Sequence, residues 1–93
     1  MAERECEEKM TYLMYSVKDE LTNKFMNPMF IEEGEEADKL AIRQFKSNVN
    51  NIQLWKDNPN DYSLFRVGVF DDEAGAQATV IEKIISGRSV LDV

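Results

Sequence analysis

Histidine is absent from this chain, cysteine occurs once, and proline only twice. Without histidine, the commonest general base and metal ligand is missing. A lone Cys6 excludes an internal disulfide and fits a reducing compartment. Cys6 lies among Glu3, Glu5, Glu7 and Glu8, whose negative field works against a thiolate, so an inert thiol is expected. No apolar run approaches the ~20 residues that a transmembrane helix needs, so no membrane contact is expected. The opening "MAERECEEK" is charged throughout and does not read as a secretory signal. A glycine-rich phosphate loop, a CxxC pair and a nucleophile elbow are all missing. The expectation is a protein that is not an enzyme, with no cofactor and no metal.

What is present defines a small folded domain. Ninety-three residues, 43% hydrophobic and 31% charged, have the composition of a soluble globular protein. Residues 1–9 have no apolar periodicity and read as a flexible N-terminal extension; residues 10–93 read as one compact domain. Eighteen acids against eleven bases give a net charge of −7 and a pI near 4.5. Affinity for nucleic acid comes mainly from neutralising phosphates with Lys and Arg, and the whole-molecule field has the wrong sign for that. A non-specific coating protein is therefore not expected, although a local basic stripe stays open.

"TYLMYSVKDE" alternates, with Leu13, Tyr15 and Val17 on one face and Tyr12, Met14 and Ser16 on the other. Both faces carry large side chains, so the strand is expected at the centre of its sheet. In the next segment Asn27 and Pro28 punctuate an apolar stretch, Phe25 to Ile31. It reads as an extended or edge strand, because proline cannot donate a ladder hydrogen bond.

Gly34 and the acids Glu35, Glu36 and Asp38 open a helix expected over Glu35–Asn48. Ala37, Leu40, Ala41, Phe45, Val49 and Ile52 recur at spacings of three and four and define its buried face. "NVNN" is expected to end it, since asparagine favours turns and caps. On the opposite face Lys39, Arg43 and Lys46 form a row. The row reads either as a solvated face, with Glu35 pairing Lys39, or as a nucleic-acid contact. Arg66, inside a later strand, snorkels to the sheet edge, pairs with a nearby acid, or adds to that contact as part of a recognition surface.

"NIQLWKDNPND" reads as a loop. Its tryptophan, Trp55, is either a lid on the core or, with Tyr62, an anchor for a partner. "YSLFRVGVF" and "QATVIEKII" then read as an antiparallel pair. Asp71, Asp72 and Glu73 sit at the turn between them. Adjacent exposed carboxylates lack the burial that separates pKa values for acid/base work, and no EF-hand frame surrounds them. They read as turn solvation, with Gly75 at a positive-φ position.

Three blocks, "YLMYSVKDE", "NPMFIEEGEEADKLAIRQFKSNVNN" and "NPNDYSLFRVGVFDDEAG", together resemble the small non-structural protein of gokushovirus-type microviruses, phages with single-stranded DNA genomes. The matching positions are Tyr15, Ser16, Val17 and Asp19; Pro28 and Phe30; Ala41, Arg43 and Phe45. They continue as Pro59, Asp61, Tyr62, Leu64, Phe65, Gly68, Phe70, Asp71, Asp72 and Gly75. The third block is the most specific. Residues 1–9 and the closing "SGRSVLDV" have no counterpart in that pattern. The resemblance implies an accessory protein in the cytoplasm of the infected bacterial host. Its role would lie in single-stranded DNA genome replication or the switch to packaging, and it carries over no catalytic or binding residue.

The expected fold is α+β: a small antiparallel sheet of three to four strands with one main amphipathic helix on one face. A homodimer is expected to cover the exposed face or join two sheet edges. The candidate nucleic-acid contacts are Lys39, Arg43, Lys46 and Arg66, binding single-stranded DNA weakly and in a salt-sensitive way; Trp55 and Tyr62 are the candidate partner contacts. Viral replication or capsid proteins are the expected protein partners. The alternative is an interaction module that binds a host or capsid component without touching DNA.

Overall fold

A computed structural model describes residues 10–92. The proposed N-terminal extension and Cys6 lie outside the described residues. Those residues form the strands β1 (Thr11–Asp19), β2 (Lys24–Phe25), β3 (Met29–Glu32), β4 (Tyr62–Asp71) and β5 (Gly75–Ser86). The helices are α1 (Ala37–Asn51), α2 (Gln53–Asp57) and α3 (Gly87–Val90). The architecture is α+β, an antiparallel sheet in the order β2-β1-β4-β5, with β3 also paired to β1.

β1 is central, as its two-faced pattern implies. One edge pairs with β4 along its whole length, from Thr11↔Asp71 to Asp19↔Tyr62. The other edge is shared by β3, opposite Tyr12 to Tyr15, and β2, opposite Lys18 and Asp19. Asn27 and Pro28 fall in the gap between β2 and β3, where the missing N–H breaks no ladder. The edge segment is thus a strand interrupted at its proline.

β4 and β5 form the expected hairpin. Asp71 Oδ1 accepts hydrogen bonds from the backbone N–H groups of Glu73 (2.9 Å) and Ala74 (2.6 Å), and Gly75 has φ +80°. The acids at this tip shape the turn. Register shifts between Met14 and Tyr15 in the β1–β4 ladder, and at two places in the β4–β5 ladder, bend the strands and strengthen their twist.

α1 crosses one face of the sheet. Ala37, Ala41, Phe45 and Val49 are buried at spacings of four, and the last three meet Tyr15, Val17, Tyr62, Leu64 and Val90 in the core. The expected buried face was too wide, because Leu40 and Ile52 are 43% and 40% exposed. The helix also runs past its expected end. Asn50 and Asn51 turn their side-chain amides back onto the carbonyls of Lys46 (2.9 Å) and Ser47 (2.7 Å), while Val49 just before them is buried. Core packing outweighs asparagine's preference for turns.

The expected loop after α1 contains α2 and a 3-10 turn over Pro59–Asp61. The C-terminal segment is also structural. Val90 enters the core, and Asn50 donates to its carbonyl at 3.0 Å while accepting from the Asp92 N–H at 2.8 Å.

By strand alternation, Tyr12, Met14, Phe65 and Phe70 lie on the face opposite α1. Ring contacts link Tyr12 with Phe70 at 6.3 Å and Phe25 with Phe65 at 5.5 Å. Lys18 Nζ lies over the rings of Phe25 (5.5 Å) and Phe65 (5.7 Å).

Candidate nucleic-acid interface

The helical spacing of Lys39, Arg43 and Lys46 does put all three on the outer side of α1, where each is exposed. Two of them already have acidic neighbours: Lys39 with Glu36 at 4.0 Å, and Lys46 with Asp92 at 3.7 Å. The expected Glu35–Lys39 pair is replaced because the helix begins at Ala37 and leaves Glu35 in the preceding turn. Arg43 has no ion pair among the described residues. Exposed pairs at such distances contribute only about 0–1 kcal/mol, so both lysines can exchange their partners for a phosphate at little cost.

Arg66 is not part of this stripe. It sits on the α1 side of β4 and donates to Asp38 Oδ1 at 3.2 Å and to Glu82 of β5. Asp38 also accepts the hydroxyl hydrogen bond of Tyr15, whose side chain is fully buried. This four-residue cluster ties the first turn of α1 to β1, β4 and β5. Burial opposes the guanidinium charge, but Glu82, Tyr15 and Asp38 outweigh it and hold the Arg66 pKa above its usual value. Burial, reinforced by Asp38, pushes the Tyr15 hydroxyl up to about 12. Arg66 is therefore a structural strut, with its donors engaged by acids.

Trp55 and Tyr62 stack on each other with centroids 4.8 Å apart and an interplanar angle of 15°. Trp55 also meets Phe45 at 6.4 Å. Tyr62 is only 5% exposed, so its ring is not offered to a partner or a base. Burial, then Asp19 and Asp61, raise its pKa. Trp55 is half-buried against the core and acts as its lid.

A groove of about 820 Å³ runs between α1 and the β3 edge. Arg43, Gln44, Ser47 and Asn48 line it from the helix; Asn27, Met29, Phe30 and Ile31 line it from the strand side. β3 alternates, with Met29 and Ile31 partly buried against the core, so Phe30 turns to the face opposite α1, beside its cross-strand partner Met14, and is 48% exposed. Its ring meets Phe70 at 5.5 Å. In a chain of net charge −7, this groove has no carboxylate in its lining. It combines one cation, three side-chain amides and a hydroxyl, and the exposed Phe30 ring borders it from across the β3 edge.

Arg43, a candidate from helical spacing, is the one residue of the basic row that lines this groove. Phe30, Gln44 and Asn48 were not singled out as site residues. The available signal was the outward position of Phe30 between two inward residues, together with the i, i+4 spacing of the two amides.

Among the described residues no group of three His, Cys, Asp or Glu side chains is placed to hold a metal ion. No helix among them is long and apolar enough to cross a membrane.

A family model described as "Phage ORF5 protein" matches residues 12–90. No curated protein and no solved structure matches the chain. The match includes α3 up to Val90, the segment for which sequence reading had no counterpart.

Proposed function

Since the chain belongs to the Phage ORF5 protein family, we propose that it is a non-enzymatic accessory protein of a gokushovirus-type microvirus. It acts in the cytoplasm of the infected bacterium, in replication of the single-stranded DNA genome or in the switch to packaging. The three sequence blocks that resemble the microvirus protein support the assignment within the family. The carboxylate-free groove between α1 and β3 carries the single-stranded DNA reading.

In this reading Arg43 contacts a phosphate, and Lys39 and Lys46 extend the contact along the strand. Where the nucleic acid passes over the β3 edge, the exposed Phe30 ring on the far face is open to stacking by a base, an interaction worth about 1–3 kcal/mol. The amides of Asn27, Gln44 and Asn48 reach base edges, as such groups do in single-strand recognition. At most three phosphates are neutralised, so binding is weak, with a salt slope near −0.7 per phosphate.

Titration of fluorescein-labelled oligothymidylate at 20 mM salt, followed by anisotropy, tests this. Wild type should bind and lose affinity as salt rises, and Arg43→Glu should lower affinity by at least tenfold. No binding of wild type at low salt would overturn the DNA reading. Binding unaffected by Arg43→Glu or by Lys39→Glu with Lys46→Glu would overturn the groove as its site. The second reading, an interaction module without DNA contact, is favoured by a different feature, the apolar face opposite α1.

A further inference from the structure

Another groove among the described residues has the opposite chemistry. It holds about 350 Å³ and is walled by Met14, Phe25, Met26, Pro28, Val67 and Ile81. Ala76 and Ala78 also line it, and as small residues they keep its floor low. Beside them Gly68 lets β4 and β5 approach so closely that a Cβ there would lie 2.4 Å from the Gln77 carbonyl oxygen. None of the groove's lining residues is charged, in a chain with 31% charged residues. A phosphate has nothing to pair with here, so the occupant is apolar.

Next to this groove stands its complement. Between Gly68↔Ala78 and Arg66↔Glu82 the ladder passes one residue of β4 against three of β5. The extra residues bulge outward, leaving Val80 88% and Ile81 54% exposed. Edge strands usually carry a charge or a proline to discourage pairing. The stretch from Gly75 to Ile81 has neither. At roughly 150–200 Å² for a side chain of this size, Phe25, Met26, Val80 and Ile81 expose about 400 Å² per protomer, a patch of the size that marks interaction sites. The patch supplies about half of the ~800 Å² per partner of a standard interface, with the half-buried groove walls and the β5 backbone available for the rest.

The geometry points to a second copy of this chain as the occupant: the Val80 knuckle of each protomer seats in the Met14–Phe25–Ala78 groove of the other. Knuckle and groove lie side by side on one strand, so a single two-fold axis satisfies both at once, as an isologous interface requires. The face used is opposite α1, so the helix wall of the α1–β3 groove, with Arg43, Gln44 and Asn48, stays outside the interface. Two protomers of charge −7 repel each other, so self-association strengthens with salt as that repulsion is screened. Phosphate binding has the reverse salt dependence.

Sedimentation velocity of the full chain at 5–100 µM and in 20–500 mM salt tests the interface. Wild type should be a dimer whose dissociation constant falls as salt rises. Val80→Glu removes the knuckle at an exposed position, and Ala78→Lys blocks the groove; each should weaken self-association at least tenfold with an unchanged circular dichroism spectrum. An equimolar mixture of the two variants keeps one good knuckle facing one good groove. It should form heterodimers tighter than either homodimer. If a variant misfolds, Val80→Thr, which keeps the β-branched shape, replaces Val80→Glu and should also weaken the dimer. A monomeric wild type at 100 µM, or a dimer indifferent to these substitutions, would overturn the proposal. Neither result bears on DNA binding by the α1–β3 groove.

Discussion

Trp55 lies flat on Tyr62, with ring centroids 4.8 Å apart and planes 15° from parallel. The stack joins α2 to the first residue of β4 and closes the end of the core that Phe45 occupies. A residue that sequence alone left between lid and partner anchor is thereby a lid. Trp55→Ala should cost about 2–3 kcal/mol, somewhat below a fully buried aromatic truncation, while Trp55→Phe should keep most of the stability. Urea unfolding followed by circular dichroism measures both, and a neutral Trp55→Ala would return the ring to the role of a surface anchor.

The buried face of α1 is narrower than its hydrophobic pattern. Phe45 is fully buried, whereas Leu40 is 43% exposed. Phe45→Ala should therefore cost about 3–5 kcal/mol, close to the whole stability of a small domain. Leu40→Ala should stay within about 0.5 kcal/mol, as exposed substitutions do. Equal losses from the two changes in thermal melts would show that the helix is rotated from the orientation described.

Alternation made β1, the β4–β5 hairpin and its Asp71–Gly75 turn legible, because each depends on neighbours in sequence. Helical spacing located α1 and the Lys39–Arg43–Lys46 row for the same reason. What depended on distant partners was not legible. Asn50 sits in a helix because it bridges to Val90 and Asp92, some forty residues away. Arg66 is engaged because Asp38 and Glu82 arrive from two other elements. Tyr62 looked available as a partner contact, and the Trp55 ring that covers it arrives from another element. The α1–β3 groove exists only once β3 pairs with β1, so Phe30 and the amides of Gln44 and Asn48 had no reason to be read together.

Tyr15 gives the fold an alkaline sensitivity. Its hydroxyl is pushed up to about 12 from an ordinary value of 10.0 by burial and by the Asp38 carboxylate. Above pH 10 the unfolded chain loses this proton before the folded chain does. Stability is thus fully present below that pH and is lost as pH rises through the window up to about 12. Denaturant midpoints measured from pH 9 to 12 should fall, and Tyr15→Phe should flatten the slope without removing it, since Tyr62 is shifted in the same direction. An identical slope in Tyr15→Phe would contradict this account.

The C-terminal turn tolerates no added side chain at its first residue. A Cβ on Gly87 would lie 2.5 Å from the Pro59 carbonyl oxygen and 3.0 Å from that of Tyr62. Both are backbone atoms, so α3 has to move away and lift Val90 from the core. Gly87→Ala should cost about 1–3 kcal/mol, in the range of overpacking substitutions. Gly34→Ala, where nothing lies within 4 Å, is the matched control for the same melting experiment.

The central claim, that single-stranded DNA is read by the groove between α1 and β3, is tested most directly by amide chemical-shift mapping. The ¹⁵N-labelled protein is titrated with an unlabelled oligothymidylate at 20 mM salt. Perturbations are expected at Asn27, Arg43, Gln44 and Asn48, fading as salt is raised, with Ala78 and Val80 on the other groove unmoved. Perturbations centred on that other groove, or none at a large oligonucleotide excess, would contradict the claim.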